Sequence, residues 1–155
     1  MALYSQTSIR RIIGGEGSIA QASDVAKSFN AKNVVLITDK GVYDLGLTKA
    51  CEDALKAAGL AVHVINDVPP EPSVAQVNAI FNQAKAVNCD LLVAIGGGSS
   101  MDTTKLVSLM LKNDITLEQM VKGAKPTVKG VPTLMVPTTA GTGSEATPNA
   151  IVLVP

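Results

Sequence analysis

The sequence predicts an α/β domain with a mainly parallel sheet and flanking helices. Three observations carry this. Short apolar, β-branched runs alternate along the chain with segments in which apolar residues recur every three or four positions. The runs Val34-Val35-Leu36-Ile37 and Leu91-Leu92-Val93-Ala94-Ile95 are apolar throughout instead of alternating, as strands buried on both faces are. One run stops at Gly96-Gly97-Gly98-Ser99 and restarts as an apolar helical segment, a strand-to-helix turn.

Taken in order, Ile9 to Ile13 reads as an early strand, and Gly14-Gly15-Glu16-Gly17 turns the chain toward Ser18, the predicted N-cap of a helix through Phe29. Val34 to Asp39 is the next strand. From Val42 to Ala58 the residues Leu47, Cys51, Ala54, Leu55 and Ala58 fall on one helical face, and Gly59 closes that helix. Ala61 to Ile65 supplies a strand. Asp67-Val68-Pro69-Pro70-Glu71-Pro72 must be a stiff loop, because its prolines fix φ and remove donors. Ser73 then caps a helix whose Val74, Val77, Ile80, Phe81, Ala84 and Val87 form one stripe.

Cys89 to Ile95 is the buried strand before the glycines, and Thr103 to Leu111 the helix after them. Leu106 to Leu111 is apolar nearly all round, which implies burial on both sides, the second side being one that a further domain could cover. Ile115 to Val121 reads as a short helix, Lys122 to Gly130 as a solvated loop, Val131 to Val136 as a strand, and Ala150 to Val154 as the start of another. At 155 residues the length fits one domain.

Composition excludes several function classes. Lys plus Arg and Asp plus Glu are both 13, and with two Phe and two Tyr there is no basic, aromatic surface for nucleic acid. Hydrophobic residues make up 46%, yet no run approaches the roughly eighteen apolar residues that would suggest a membrane span. Met1 to Ser5 lacks the basic start and apolar core of a signal peptide, so a cytoplasmic protein is expected. Cys51 and Cys89 lie in apolar segments far apart and read as buried thiols; His63, the one histidine, stands in a strand and cannot build a metal site alone.

The chemistry is expected at one sheet edge. Ligands of such sheets bind at the carboxyl ends of the strands. Asp39, the proline-rich loop, Gly96 to Ser99 and Thr138 to Ser144 all follow strands directly, so they gather there. The glycine turn offers backbone N–H groups and a helix dipole to an anion such as phosphate, although such a turn also serves to seat a helix close to a sheet. It is neither GxxxxGK[ST] nor G-x-G-x-x-G. Asp39 could accept both hydroxyls of a ribose and repel a 2′-phosphate, favouring NAD over NADP, or it could cap the next helix. Asp102 could equally be a first-turn carboxylate that steadies its helix.

Gly15-Glu16-Gly17-Ser18-Ile19, Ile37-Thr38-Asp39-Lys40-Gly41, Gly96-Gly97-Gly98-Ser99-Ser100-Met101-Asp102 and Pro137-Thr138-Thr139-Ala140-Gly141-Thr142-Gly143-Ser144-Glu145 resemble the iron-containing, or group III, alcohol dehydrogenases, near the lactaldehyde reductase and 1,3-propanediol dehydrogenase branch. The resemblance covers essentially the whole chain. It implies a Rossmann-like N-terminal domain of the dehydroquinate synthase-like fold, with residues 1–155 as the NAD-binding domain. Asp39 would hold the adenosine ribose, Glu71 border the adenosine, and Gly97, Gly98 and Ser99 hold the pyrophosphate. Asp102 would lie toward the nicotinamide, with Thr138, Thr139 and Thr142 along the adenine and pyrophosphate side.

Members of that family bind Fe²⁺, sometimes Zn²⁺, through one Asp and three His of a helical C-terminal domain, and move hydride between a nicotinamide cofactor and a small alcohol or aldehyde. No residue here matches the metal motif, so no catalytic residue is assigned and the helical domain is expected to be absent from this chain. The expectation is a nucleotide-binding domain, in a homo-oligomer, that does not turn over alcohol by itself. A non-catalytic assembly module is the alternative, as is a glycerol dehydrogenase-type or dehydroquinate synthase relative sharing the glycine turn; Pro137 to Glu145 favours the alcohol dehydrogenase branch.

Overall fold

A computed structural model describes residues 9–154. The strands β1 (Asn33–Ile37), β2 (Ala61–Ile65), β3 (Leu91–Gly96) and β4 (Thr133–Pro137) form one wholly parallel sheet in the order β2-β1-β3-β4. The helices are α1 (Ala22–Ser28), α2 (Lys40–Asp44), α3 (Lys49–Ala57), α4 (Val74–Ala86), α5 (Gly98–Met110) and α6 (Leu117–Val121). The α/β expectation is thus met.

Because successive strand residues point to opposite faces, β1 feeds two cores. Val35 and Ile37 join Leu92, Val77, Ile80 and Val107 beneath α4 and α5, while Val34 and Leu36 join Leu91, Val93, Ile95, Cys51 and Leu55 beneath α1 and α3. All six residues of β3 are buried, which explains its unbroken apolar run. α5 is also covered without any further domain. Met101, Thr103, Thr104 and Val107 are each at 0% exposure within this chain, between the sheet and α4 on one side and the segments after β4 on the other.

Local chemistry sets the helix ends. Ser73 and Gln76 form a reciprocal capping box at the start of α4, and Thr116 with Gln119 form another at α6. Gly59, at φ 82°, ends α3 with a pair of closing bonds, its own N–H to the Lys56 carbonyl and that of Leu60 to Leu55.

Several expected elements differ. Residues 9–14 form no strand, and Ile12 is 77% exposed; nothing among the described residues pairs with their backbone. Ser18 is not an N-cap, because Gly17 leads instead into a 3-10 turn, Ser18–Gln21, and α1 starts at Ala22. The expected helix over 42–58 is broken into α2 and α3. Gly46 at φ 72° donates to the Tyr43 carbonyl and Leu47 to Val42, the same closing pair that ends α3, and Leu47 is left 51% exposed. Residues 150–154 form only a single bridge, Leu153 to Ser73, instead of a strand. The helix after the glycines starts at Gly98, earlier than Thr103.

Candidate functional site

Strand order places the site. The chain leaves β1 for β2 on one side and returns through α4 to β3 on the other, so the connections diverge between β1 and β3. A crevice opens at the carboxyl ends of two such strands. Asp39 follows β1 and Gly97 follows β3, and the two loops meet: a Cβ added at Gly96 would lie 3.4 Å from Asp39 Oδ2.

The glycines are there for close approach. A Cβ on Gly96 would sit 2.6 Å from Ser100 Oγ, and one on Gly97 would sit 3.2 Å from Thr139 Oγ1. A Cβ at Gly98 would touch Thr142 at 3.8 Å. Thr139 and Thr142 therefore lie directly over the start of α5, and the Thr138 N–H fixes their loop by donating to the Gly96 carbonyl at 2.9 Å. Gly97, the N-cap of α5, supplies no side chain to its first turn. The N–H groups of Gly98, Ser99 and Ser100, in the first turn, have no intrahelical acceptor and lie at the positive end of the helix dipole.

Asp39 takes the capping role with one of its two oxygens. Oδ1 caps α2 by accepting the Val42 N–H at 2.9 Å, while Oδ2 makes no protein hydrogen bond among those described and faces Gly96. Glu71, at φ 49°, brings the proline-rich loop to the same edge: its N–H donates to Ser99 Oγ at 3.4 Å, and its side chain is exposed. Thr38 locks the floor by donating to the Ile95 carbonyl at 2.6 Å.

Asp102 is occupied within the protein. Its Oδ1 accepts from the Ser144 hydroxyl and from Lys105 Nζ at 2.9 Å, and its Oδ2 accepts the Ile151 N–H at 3.0 Å. Lys105 also donates to the carbonyls of Thr147, at 3.2 Å, and Asn149. The motif reading passed over Lys105 and Ser144 as site residues, although Lys105 stands three positions after Asp102, a spacing at which side chains meet on a helix.

Neither thiol offers a nucleophile. Burial pushes Cys51 up to about 12 and Cys89 to about 11, with Glu52 and Asp90 adding to each. Among the described residues no group of three or more His, Cys, Asp or Glu side chains could hold a metal ion, and His63 lies exposed on the edge strand β2. The residues present do not fit an iron site. The first turn of α5, which no side chain caps, offers backbone donors of the kind that hold a dinucleotide phosphate.

The family model for iron-containing alcohol dehydrogenase matches residues 10–155. The chain is similar to lactaldehyde reductase of Escherichia coli strain K12, 33% identical over 140 residues, covering 89% of this chain and 37% of that protein. It superposes on a 1,3-propanediol oxidoreductase at TM-score 0.87 and 26% identity, covering 94% of this chain and 38% of the other. A sulfoacetaldehyde reductase from Bifidobacterium kashiwanohense, solved in complex with NAD⁺, aligns at TM-score 0.83 and 30% identity, again over 94% and 38%. The chain spans little more than a third of the length of the curated relatives it matches.

Proposed function

This chain belongs to the iron-containing alcohol dehydrogenase family, and from that membership we propose that it is the nucleotide-binding part, residues 1–155, of an NAD-dependent oxidoreductase acting on a small alcohol or aldehyde. The observation that carries the reading is the placement of Thr139 and Thr142 over the open N-terminus of α5, beside the free Asp39 oxygen. The nicotinamide cofactor would supply a hydride acceptor or donor. The chain's part is binding and orientation. Gly97, Gly98 and Ser99 take the pyrophosphate on backbone donors, Thr138, Thr139 and Thr142 close over it, and Glu71 borders the adenosine. Asp39 Oδ2 accepts from the ribose hydroxyls, and its charge opposes a 2′-phosphate.

Iron, or zinc in its place, would be held by residues that these 155 do not contain, so by itself the chain binds nucleotide without oxidising alcohol. Balanced charge, with no basic excess, argues against a nucleic-acid partner. Among the described residues no helix is long and apolar enough to cross a membrane.

Calorimetric titration with NAD⁺ and NADP⁺ tests the reading. NAD⁺ should bind and NADP⁺ bind more weakly; no binding of either would remove it. Turnover of an alcohol by this chain with added Fe²⁺ would overturn the inactivity claim. A second reading, assembly through apolar side chains, draws on Leu45 at 76% and Ile151 at 77% exposure. Light scattering separates the two, because a strict monomer that binds NAD⁺ disfavours assembly.

A further inference from the structure

We propose that Asp102 is a positioning residue: through Ser144, the Ile151 N–H and Lys105, its carboxylate holds the 138–151 segment over the start of α5 and so sets the width of the crevice. The claim that this width matters for a dinucleotide rests on the function proposed above; the claim that the segment is held this way does not.

Residues 138–151 contain no helix or strand, so no ladder of backbone bonds fixes them. What fixes them, besides the Thr138 N–H bond to Gly96 of β3, is α5. Ser144 and Ile151 bind Asp102, while Thr147 and Asn149 bind Lys105 through their carbonyls. These anchors sit at the far end of the same loop whose Thr139 and Thr142 lie against Gly97 and Gly98. The next residues continue the tie, since Leu153 donates to the Pro72 carbonyl at 3.0 Å and Glu71 reaches Ser99. Three loops from three strand ends are thus bound into one rim.

Charge supports the same role. Asp102 lies about 6 Å along the axis from the first residue of α5, at helical rise. A bare carboxylate there would repel a phosphate drawn to the helix start. Pairing with Lys105 at 2.9 Å offsets that repulsion, and the side chain of Asp102 is only 10% exposed.

Hydrogen exchange and NAD⁺ titration on Asp102→Asn, Ser144→Ala, Ser144→Thr and the Asp102→Asn/Ser144→Ala pair test this. In Asp102→Asn and Ser144→Ala, amides of 139–151 should exchange about tenfold faster and NAD⁺ bind about tenfold more weakly, as for loss of one charge-assisted hydrogen bond. Amides of β1 and β3 should not change, the pair should be no worse than Asp102→Asn alone, and Ser144→Thr should restore both readouts. Unchanged exchange in 139–151 overturns the proposal. So does weaker NAD⁺ binding with the loop still protected, which would mean direct contact, and so does tighter binding by Asp102→Asn, which would mean bare repulsion. If Asp102→Asn does not fold, Ser144→Ala and Ser144→Thr decide. If the unmodified protein binds no NAD⁺, exchange still decides the positioning role while the nucleotide reading fails separately.

Discussion

Ser108 and Val131 hold each other twice: the Ser108 hydroxyl donates to the Val131 carbonyl at 2.7 Å, and the Val131 N–H donates to the Ser108 carbonyl at 3.1 Å. This pair clamps the entry to β4 against α5, and it leaves no space beside Gly130. A Cβ there would come within 2.7 Å of the Ser108 backbone carbon and oxygen. Gly130→Ala should therefore cost about 2 kcal/mol and lower Tm by roughly 4–8 °C, with Ser108→Ala costing about 1 kcal/mol. Calorimetric melting checks both, and an unchanged Tm for Gly130→Ala would contradict the clamp.

The glycine turn separates packing from binding. In Gly96→Ala the new Cβ would lie 2.9 Å from Ser100 Cβ, so the strand-to-helix junction itself must shift and stability should fall by about 1–3 kcal/mol. In Gly97→Ala the obstacle is the Thr139 hydroxyl at 3.2 Å, on an exposed loop that can give way. That variant should keep its Tm within a few degrees and lose about tenfold in NAD⁺ affinity, the worth of one good phosphate contact. Titration calorimetry alongside thermal melting reads the difference.

Asp39 can be divided by substitution, because one oxygen caps α2 and the other faces the crevice. Asparagine keeps a capping oxygen and removes the charge; alanine removes both. Asp39→Asn should stay close to the unmodified Tm while its preference for NAD⁺ over NADP⁺ falls. Asp39→Ala should show the same loss of preference and about 1 kcal/mol less stability. An unchanged preference in both variants would reduce Asp39 to a helix cap.

Alkaline pH should destabilise the fold through its buried thiols. Burial raises Cys51 from 9.0 to about 12 and Cys89 to about 11. Below pH 9 folded and unfolded chains both carry these protons. Above it the unfolded chain releases them first, so it binds fewer protons and stability falls with rising pH, until the folded thiols titrate too. For Cys51, which is fully buried, the fall runs from about pH 9 to about 12. Urea midpoints across that range should fall less in Cys51→Ala, and thiol labelling of the native protein at pH 8 should be slow.

Much of the fold was legible because its signals are local. The capping residues Ser73 and Thr116 stand three positions before a glutamine, and the α4 stripe repeats every three or four residues. One local signal was visible and outweighed: Leu45-Gly46-Leu47 is a helix stop, yet the longer apolar period carried the reading through it and placed the exposed Leu47 in the core. Ile9 to Ile13 failed for the opposite reason, since β-propensity does not supply a neighbouring strand to pair with.

By itself the sequence determined the kinds of element, the doubly covered parallel sheet, and the set of residues at the carboxyl ends of its strands, because periodicity, caps and glycine turns act within a few residues. Tertiary structure alone decided which of those residues meet. The order β2-β1-β3-β4 brings Asp39 beside Gly96, and the path of the chain after β4 carries Ser144 and Ile151 back onto Asp102. Such contacts join residues more than forty positions apart. They depend on strand order and crossover, which no local pattern of side chains encodes.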